Sequence, residues 1–213
     1  LKHDSFGNED VYRRIAWNPY DHHSVADFFD PGKMFGPALD DGFDVVIGNP
    51  PYVQIQKFPS PQKAAWVEQK FKTYAATADI YCLFYERGVR LLKDGGHLSY
   101  ITSNKWMRAG YGEKLRDFFC RDVAVEEVID FGGVPVFNAA MVDTAIVRLV
   151  KSAPKFSFPS SVLTRTFSIQ DSLSDYVQDN AVPFERPADG APSWVIMSPD
   201  RFRIKCAVEQ QGV

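Results

Sequence analysis

Cysteine is scarce in this chain. The three that occur, Cys82, Cys120 and Cys206, lie far apart and are odd in number, which argues against a disulfide framework and fits a reducing cytoplasm. No apolar stretch is long enough to span a bilayer and no secretory apolar region is present, so membrane and export readings fall away. Basic residues do not outnumber acidic ones: 24 stand against 27, a net charge of -3. Because duplex binding is largely phosphate neutralisation, strong DNA affinity is not a property of this balance and would have to come from local basic loops or from regions outside the chain. Internal repeats, coiled-coil heptads and low-complexity tracts are missing. Two of the four histidines adjoin in Asp21-His22-His23. With no cysteine nearby and no further histidine at ligand spacing, the pair reads as a plain loop, and no metal is expected.

What is present is apolar and aromatic. At 45% hydrophobic and 14% aromatic, 213 residues can bury a substantial core and hold one domain plus an extension. The most informative stretch is Phe43 to Tyr52. Val45, Val46 and Ile47 form the short continuous apolar run of a strand buried on both faces of a parallel sheet, ended by Gly48. Asn49-Pro50-Pro51-Tyr52 then lies beyond the strand's carboxyl end, where open α/β sheets bind their ligands. Asn49 precedes a proline and is held extended, and the two prolines bring no N–H groups. Acceptors remain. The Asn49 side-chain oxygen and the Pro50 carbonyl can together accept both hydrogens of a planar amino group, while Tyr52 offers a flat face to the ring that carries it.

The rest of the pattern is α/β. A helix is predicted over Gln62 to Thr73, and a second is capped by Asp79 with Ile80, Leu83, Phe84, Arg87 and Leu91 on its packed face and Gly95-Gly96 as its stop. His97 to Thr102 reads as a strand, Ser103 to Arg108 as the loop at its carboxyl end, and Gly110 to Phe119 as a helix. Val123 to Phe131 and Val142 to Val150 read as a closing antiparallel pair. From Ser152 the prolines at 154, 159, 183, 187, 192 and 199 mark an extension or linker with a few short elements and a helical pattern around Phe202 to Val208. The expected division is therefore 1–151 and 152–213.

These residues resemble a family: the amino-group methyltransferases that use S-adenosylmethionine, most closely the gamma-type DNA adenine-N6 methyltransferases of restriction-modification systems. Its catalytic motif is Asp, Asn or Ser followed by Pro-Pro and an aromatic, matched by Asn49 to Tyr52. Upstream, Val25-Ala26-Asp27-Phe28-Phe29 is similar to the acidic segment that holds the cofactor's adenine. Downstream, Leu91 to Gly96, His97 to Ser103 and Leu115-Arg116 follow in the family's order, then Val136-Phe137 and Val142 to Val147. The resemblance covers roughly residues 17 to 151. It implies a Rossmann-like α/β fold, catalysis by Asn49, Pro50, Pro51 and Tyr52, and cofactor contacts from Asp27, Phe28 and Asn49. It also implies a target adenine flipped out of double-stranded DNA and stacked on Tyr52 and Phe137.

One part of the family pattern has no match. Nothing before Asp27 resembles the glycine-rich loop that holds the cofactor's methionine portion, and the chain begins at Leu1 without methionine. It is accordingly read as an internal fragment, with the first strands earlier in a longer protein and a target-recognition domain later; whether a nuclease is fused stays open. Lys105 and Arg108, beside a sheet's carboxyl edge, are candidate phosphate contacts. Blander roles stay open too: Asp27 as a helix cap or surface ion pair, Phe137 as core, and Lys105, Arg108, Lys114 and Arg116 as a solvated face. Two alternatives to the DNA enzyme remain. One is a protein glutamine-N5 methyltransferase, which also uses Asn-Pro-Pro-Tyr; the other is a non-catalytic fragment or scaffold.

Overall fold

A computed structural model describes residues 8–18, 20–21, 36, 39–136, 142–164, 167–168 and 170–211. The chain divides into two compact units, Leu1–Phe43 and Asp44–Val213. The described part of the first contains helix α1, Asn8–Ala16. His22 and His23 lie outside the described residues.

The second unit is built on a mixed six-stranded sheet. Its strands are β1 (Phe43–Gly48), β2 (Leu92–Ser103), β3 (Ala124–Asp130), β4 (Thr144–Val150), β5 (Ser157–Val162) and β6 (Val182–Glu185), in the spatial order β1-β2-β4-β3-β5-β6. Helices α2 (Ser60–Glu68) and α3 (Tyr81–Leu91) connect β1 to β2, α4 (Glu113–Arg121) connects β2 to β3, α5 (Leu173–Asn180) precedes β6, and α6 (Pro199–Gln210) follows it. The expected closing pair is present. β3 and β4 pair antiparallel, with a register shift between Val125 and Glu127, and β4 returns antiparallel along β2. An α/β fold is thus what the pattern of elements predicted.

Several local expectations are corrected. β1 is not buried on both faces: it lies at the edge of the sheet, where Val46 packs against the core while Val45 and Ile47 are 56% and 75% exposed. Asp79 does not cap α3. Ile80 occupies that position without a side-chain cap, and Asp79 instead bridges to Gln54. The packed face of α3 carries Tyr81, Leu83, Tyr85, Gly88 and Val89, with Phe84 and Arg87 turned outward. The aromatics decide this face: Tyr85 donates to or accepts from Thr102 Oγ1 at 2.9 Å and meets the Phe119 ring edge-on at 5.1 Å. Gly88 lets the helix approach β2 closely, since a Cβ there would lie 2.5 Å from Leu98 Cδ1. The helix ends at Leu91, before Gly95-Gly96, and α2 stops at Glu68 rather than Thr73.

The stretch after Ser152 adds to the same sheet. β5 pairs parallel with β3 and antiparallel with β6. Trp194, fully buried, packs on Trp106, Phe158 and Phe184 with ring centroids 5.1 to 5.5 Å apart. Arg116 is not on a solvated face but ties these layers together, because its charge is met by buried carbonyls. Its buried guanidinium donates to the carbonyls of Gly190 (2.8 Å), Trp106 (2.6 Å) and Ala109 (2.9 Å).

Candidate functional site

The carboxyl end of β1 carries the Asn-Pro-Pro-Tyr tip. Asn49 and Pro51 are exposed, Pro50 is buried and Tyr52 is half-buried. The tip folds back on itself: the Tyr52 hydroxyl donates to Asn49 Oδ1 at 2.9 Å, with the Ile101 carbonyl of β2 a second acceptor at 3.4 Å. A carboxamide oxygen has two lone pairs, so this bond leaves Asn49 an acceptor site to offer. Asp44 pairs with Lys93 at the start of β2 and Tyr52 meets Ile101 near its end, so the two strands run the same way.

Beneath the tip lies a floor of neutral phenols. Tyr81 meets the Tyr52 ring edge-to-face, centroids 6.1 Å apart, and its hydroxyl lies 3.0 Å from that of Tyr111, which reaches Asp79 at 3.3 Å. Burial pushes the Tyr52 and Tyr81 phenols up and that of Tyr111 up to about 12, so all three stay protonated at neutral pH. The segment after the tip is tethered rather than loose. Ile80 N–H donates to the Val53 carbonyl and Ile55 N–H to the Ala78 carbonyl, both at 2.8 Å, and Ile55 is fully buried.

The antiparallel pairing of β4 with β2 and β3 brings the carboxyl ends of β2 and β3 to one edge of the sheet, Ser103 opposite Thr144 and Asp130 opposite Ala145. Lys105 and Arg108 follow β2 around a short 3₁₀ turn anchored by buried Trp106 and Met107, and both are exposed. Asp130 is 1% exposed. Its Oδ1 accepts from Asn104 Nδ2 at 2.8 Å and from Gly132 N–H at 3.0 Å, and its Oδ2 lies 3.8 Å from the Arg108 guanidinium. These residues line a cavity of about 420 Å³ with Asp143, Thr164, Ser198 and Arg201. Neither Asp130 nor Arg201 was a candidate in the sequence. Arg201 stands 93 positions after Arg108 in a helix whose composition carries no mark of a site, and only the fold brings the two to one cavity. An aspartate at a strand's carboxyl end was a signal for the former.

Asp27, Phe28 and Phe137 lie outside the described residues. Val136, immediately before the last, is half-buried and packs with Val134 against a cluster of Ile129, Phe131, Leu163 and Val177.

An α/β sheet with an Asn-Pro-Pro-Tyr tip at a strand's carboxyl end defines the class, and comparison with known proteins names the group. The Eco57I restriction-modification methylase family matches residues 7–137, and the chain belongs to that family. The type II methyltransferase M.PaeR7I of Pseudomonas aeruginosa is 27% identical over 182 residues, covering 81% of this chain and 32% of that protein. The type II restriction enzyme and methyltransferase RM.Eco57I of Escherichia coli is 33% identical over 119 residues, covering 54% of this chain and 12% of that protein. This chain therefore spans a third or less of these relatives. Among solved structures, the type I restriction-modification system methyltransferase subunit from Streptococcus thermophilus has the same fold, with a TM-score of 0.51 and 17% identity over 65% of this chain and 31% of that one. No described helix is long and apolar enough to cross a membrane.

Proposed function

We propose that this chain carries the catalytic end of a DNA methyltransferase of a restriction-modification system, acting on the N6 amine of adenine with S-adenosylmethionine as methyl donor. The observation that carries the reading is the exposed Asn49 carboxamide at the carboxyl end of β1, its oxygen fixed by the Tyr52 hydroxyl at 2.9 Å. Membership of the Eco57I family supports it. Of the cofactor contacts Asp27, Phe28 and Asn49, the last is the described one, and its solvent-facing side chain suits a donor approaching from beyond the strand.

The amine of adenine is a poor nucleophile because its lone pair is delocalised into the ring. Asn49 Oδ1 and the Pro50 carbonyl accept its two hydrogens, favour a more pyramidal nitrogen and stabilise the positive charge that develops there. This is electrostatic preorganisation, not covalent catalysis. When bound beyond the strand end, S-adenosylmethionine would supply an electrophilic methyl group, Asn49 and Pro50 would hold the amine nitrogen towards it, and the proton shed by the amine would pass to solvent. Tyr52 and Phe137 stack on the extruded base, which cannot be reached inside a duplex. Lys105 and Arg108 contact phosphates. Residues 1–151 form part of the catalytic domain and 152–213 lead towards a target-recognition domain, the first strands and that domain belonging to regions outside this chain; the protein works in the cytoplasm.

Protein glutamine-N5 methylation is the second reading, because a primary amide would fit the same two acceptors. 2-Aminopurine placed at the target position separates the two, since its fluorescence rises when the base leaves the stack. In the complete enzyme, Phe137→Ala is expected to lower that signal more than Phe137→Trp, each ring being worth about 1 to 3 kcal/mol of stacking. No flipping signal from the wild type, or an unchanged signal and turnover in Phe137→Ala, would move the assignment to the protein amide.

A further inference from the structure

We infer that Asp130 is a positioning residue for the DNA substrate, acting through Arg108, an inference that rests on the proposed function. β1 and β3 are three strand spacings apart, roughly 14 Å at about 4.8 Å each, too far for Asp130 to touch an amine held at Asn49. What its carboxylate touches instead are two loops. The loop after β2 is held through Asn104 Nδ2 and the turn after β3 through the Gly132 N–H, both on Oδ1. One oxygen thus fixes the segment bearing Arg108 against the segment that runs through Val136 towards Phe137.

The other oxygen serves a different purpose. Oδ2 lies 3.8 Å from the Arg108 guanidinium, an ion pair too long for a direct hydrogen bond, and it is the buried member that sets the direction of the exposed one: Asp130 is 2% exposed at its side chain and Arg108 61%. A surface arginine without such a partner samples many rotamers, and ordering it when DNA binds costs entropy. Held from below by Asp130, Arg108 presents its remaining N–H groups to the cavity it lines with Arg201. The two buried-side bonds and the ion pair are separable, because an asparagine at 130 keeps an oxygen for Asn104 and Gly132 while its amide nitrogen faces the guanidinium without a charge to offer.

Steady-state methylation of a cognate duplex by the complete enzyme tests this with Asp130→Asn, Arg108→Ala and the double variant. Each single change is expected to raise the KM for DNA about tenfold, the worth of one charge-assisted contact, with kcat nearly unchanged. The double variant is expected to be no worse than Arg108→Ala alone, since Asp130 acts on DNA through that side chain. Additive losses, or an unchanged KM in Asp130→Asn, would overturn the role. Should Asp130→Asn fail to fold, Asn104→Ala decides: it frees the same loop from the same carboxylate, and a raised KM with a lower 2-aminopurine signal supports the role while no change in either overturns it. A wild-type enzyme that methylates no DNA would fail the proposed function and this role with it; an active wild type with additive variants would fail the positioning role alone.

Discussion

The Tyr52 hydroxyl has one proton and two acceptors, Asn49 Oδ1 at 2.9 Å and the Ile101 carbonyl at 3.4 Å. The shorter bond fixes the Asn49 carboxamide, which otherwise stands exposed with free rotation about its side-chain bonds. Tyr52→Phe keeps the ring for stacking and removes this restraint. Its expected effect is a single-turnover rate about tenfold lower, the upper range for one neutral hydrogen bond, with binding of an extruded base retained. Equal rates for the two proteins would mean that the hydroxyl does not orient Asn49. At this scale the sequence was most legible where chemistry is contiguous: Asn49 to Tyr52 are neighbours in the chain, and two prolines leave the backbone few alternatives. It was least legible where the fold does the assembling. Arg201 reaches the Arg108 cavity from a helix that follows the last strand, and Asp130 reaches Asn104 because β2 and β3 end at the same edge.

The elements were foreseen better than their faces. The i, i+3, i+4 spacing put Phe84 and Arg87 of α3 inward, but Tyr85 and Gly88 pack on β2 and Tyr81 meets Tyr52 and Tyr111, because large amphipathic rings fill the layer and find hydroxyl partners there. The close approach at Gly88 is the most sensitive point of that packing. Gly88→Ala would set a Cβ 2.5 Å from Leu98 Cδ1 and 2.6 Å from Tyr100 Oη, and is expected to cost about 1–3 kcal/mol, read as a lower denaturation midpoint at unchanged denaturant slope. A neutral substitution would show that the helix can move off the strand freely. Proline content did not keep the last stretch from forming strands. Pro159 and Pro183 face each other across β5 and β6, β6 is an edge strand, and the ladder from β5 to β3 begins only at Ser160, so neither ring removes a bond the sheet needs. The few short elements expected in this stretch thereby include two strands that extend the same sheet.

For the molecule as a whole, pairing explains why one edge gathers the candidate residues. β1 and β2 run the same way, and β4 returns between β2 and β3, so the Asn49 tip, the Lys105 to Arg108 turn and Asp130 all lie where strands end. The motif order along the chain was legible, but the order of strands in space was not, since a hairpin-like return of β4 between two earlier strands leaves no mark in local periodicity. With a net charge of -3, phosphate attraction would have to come from local basic residues, of which Lys105, Arg108 and Arg201 stand exposed at that edge, or from regions outside the chain. The most direct test of the central claim is to follow a labelled methyl group. The complete enzyme, a cognate duplex and methyl-labelled S-adenosylmethionine are incubated, and the digested nucleosides and any protein substrate are separated by mass. Label is expected in N6-methyladenine from the wild type and not from Asn49→Ala, which should keep the native melting curve because its side chain is exposed. Label in a protein glutamine, or N6-methyladenine formed at near-normal rate by Asn49→Ala, would contradict it.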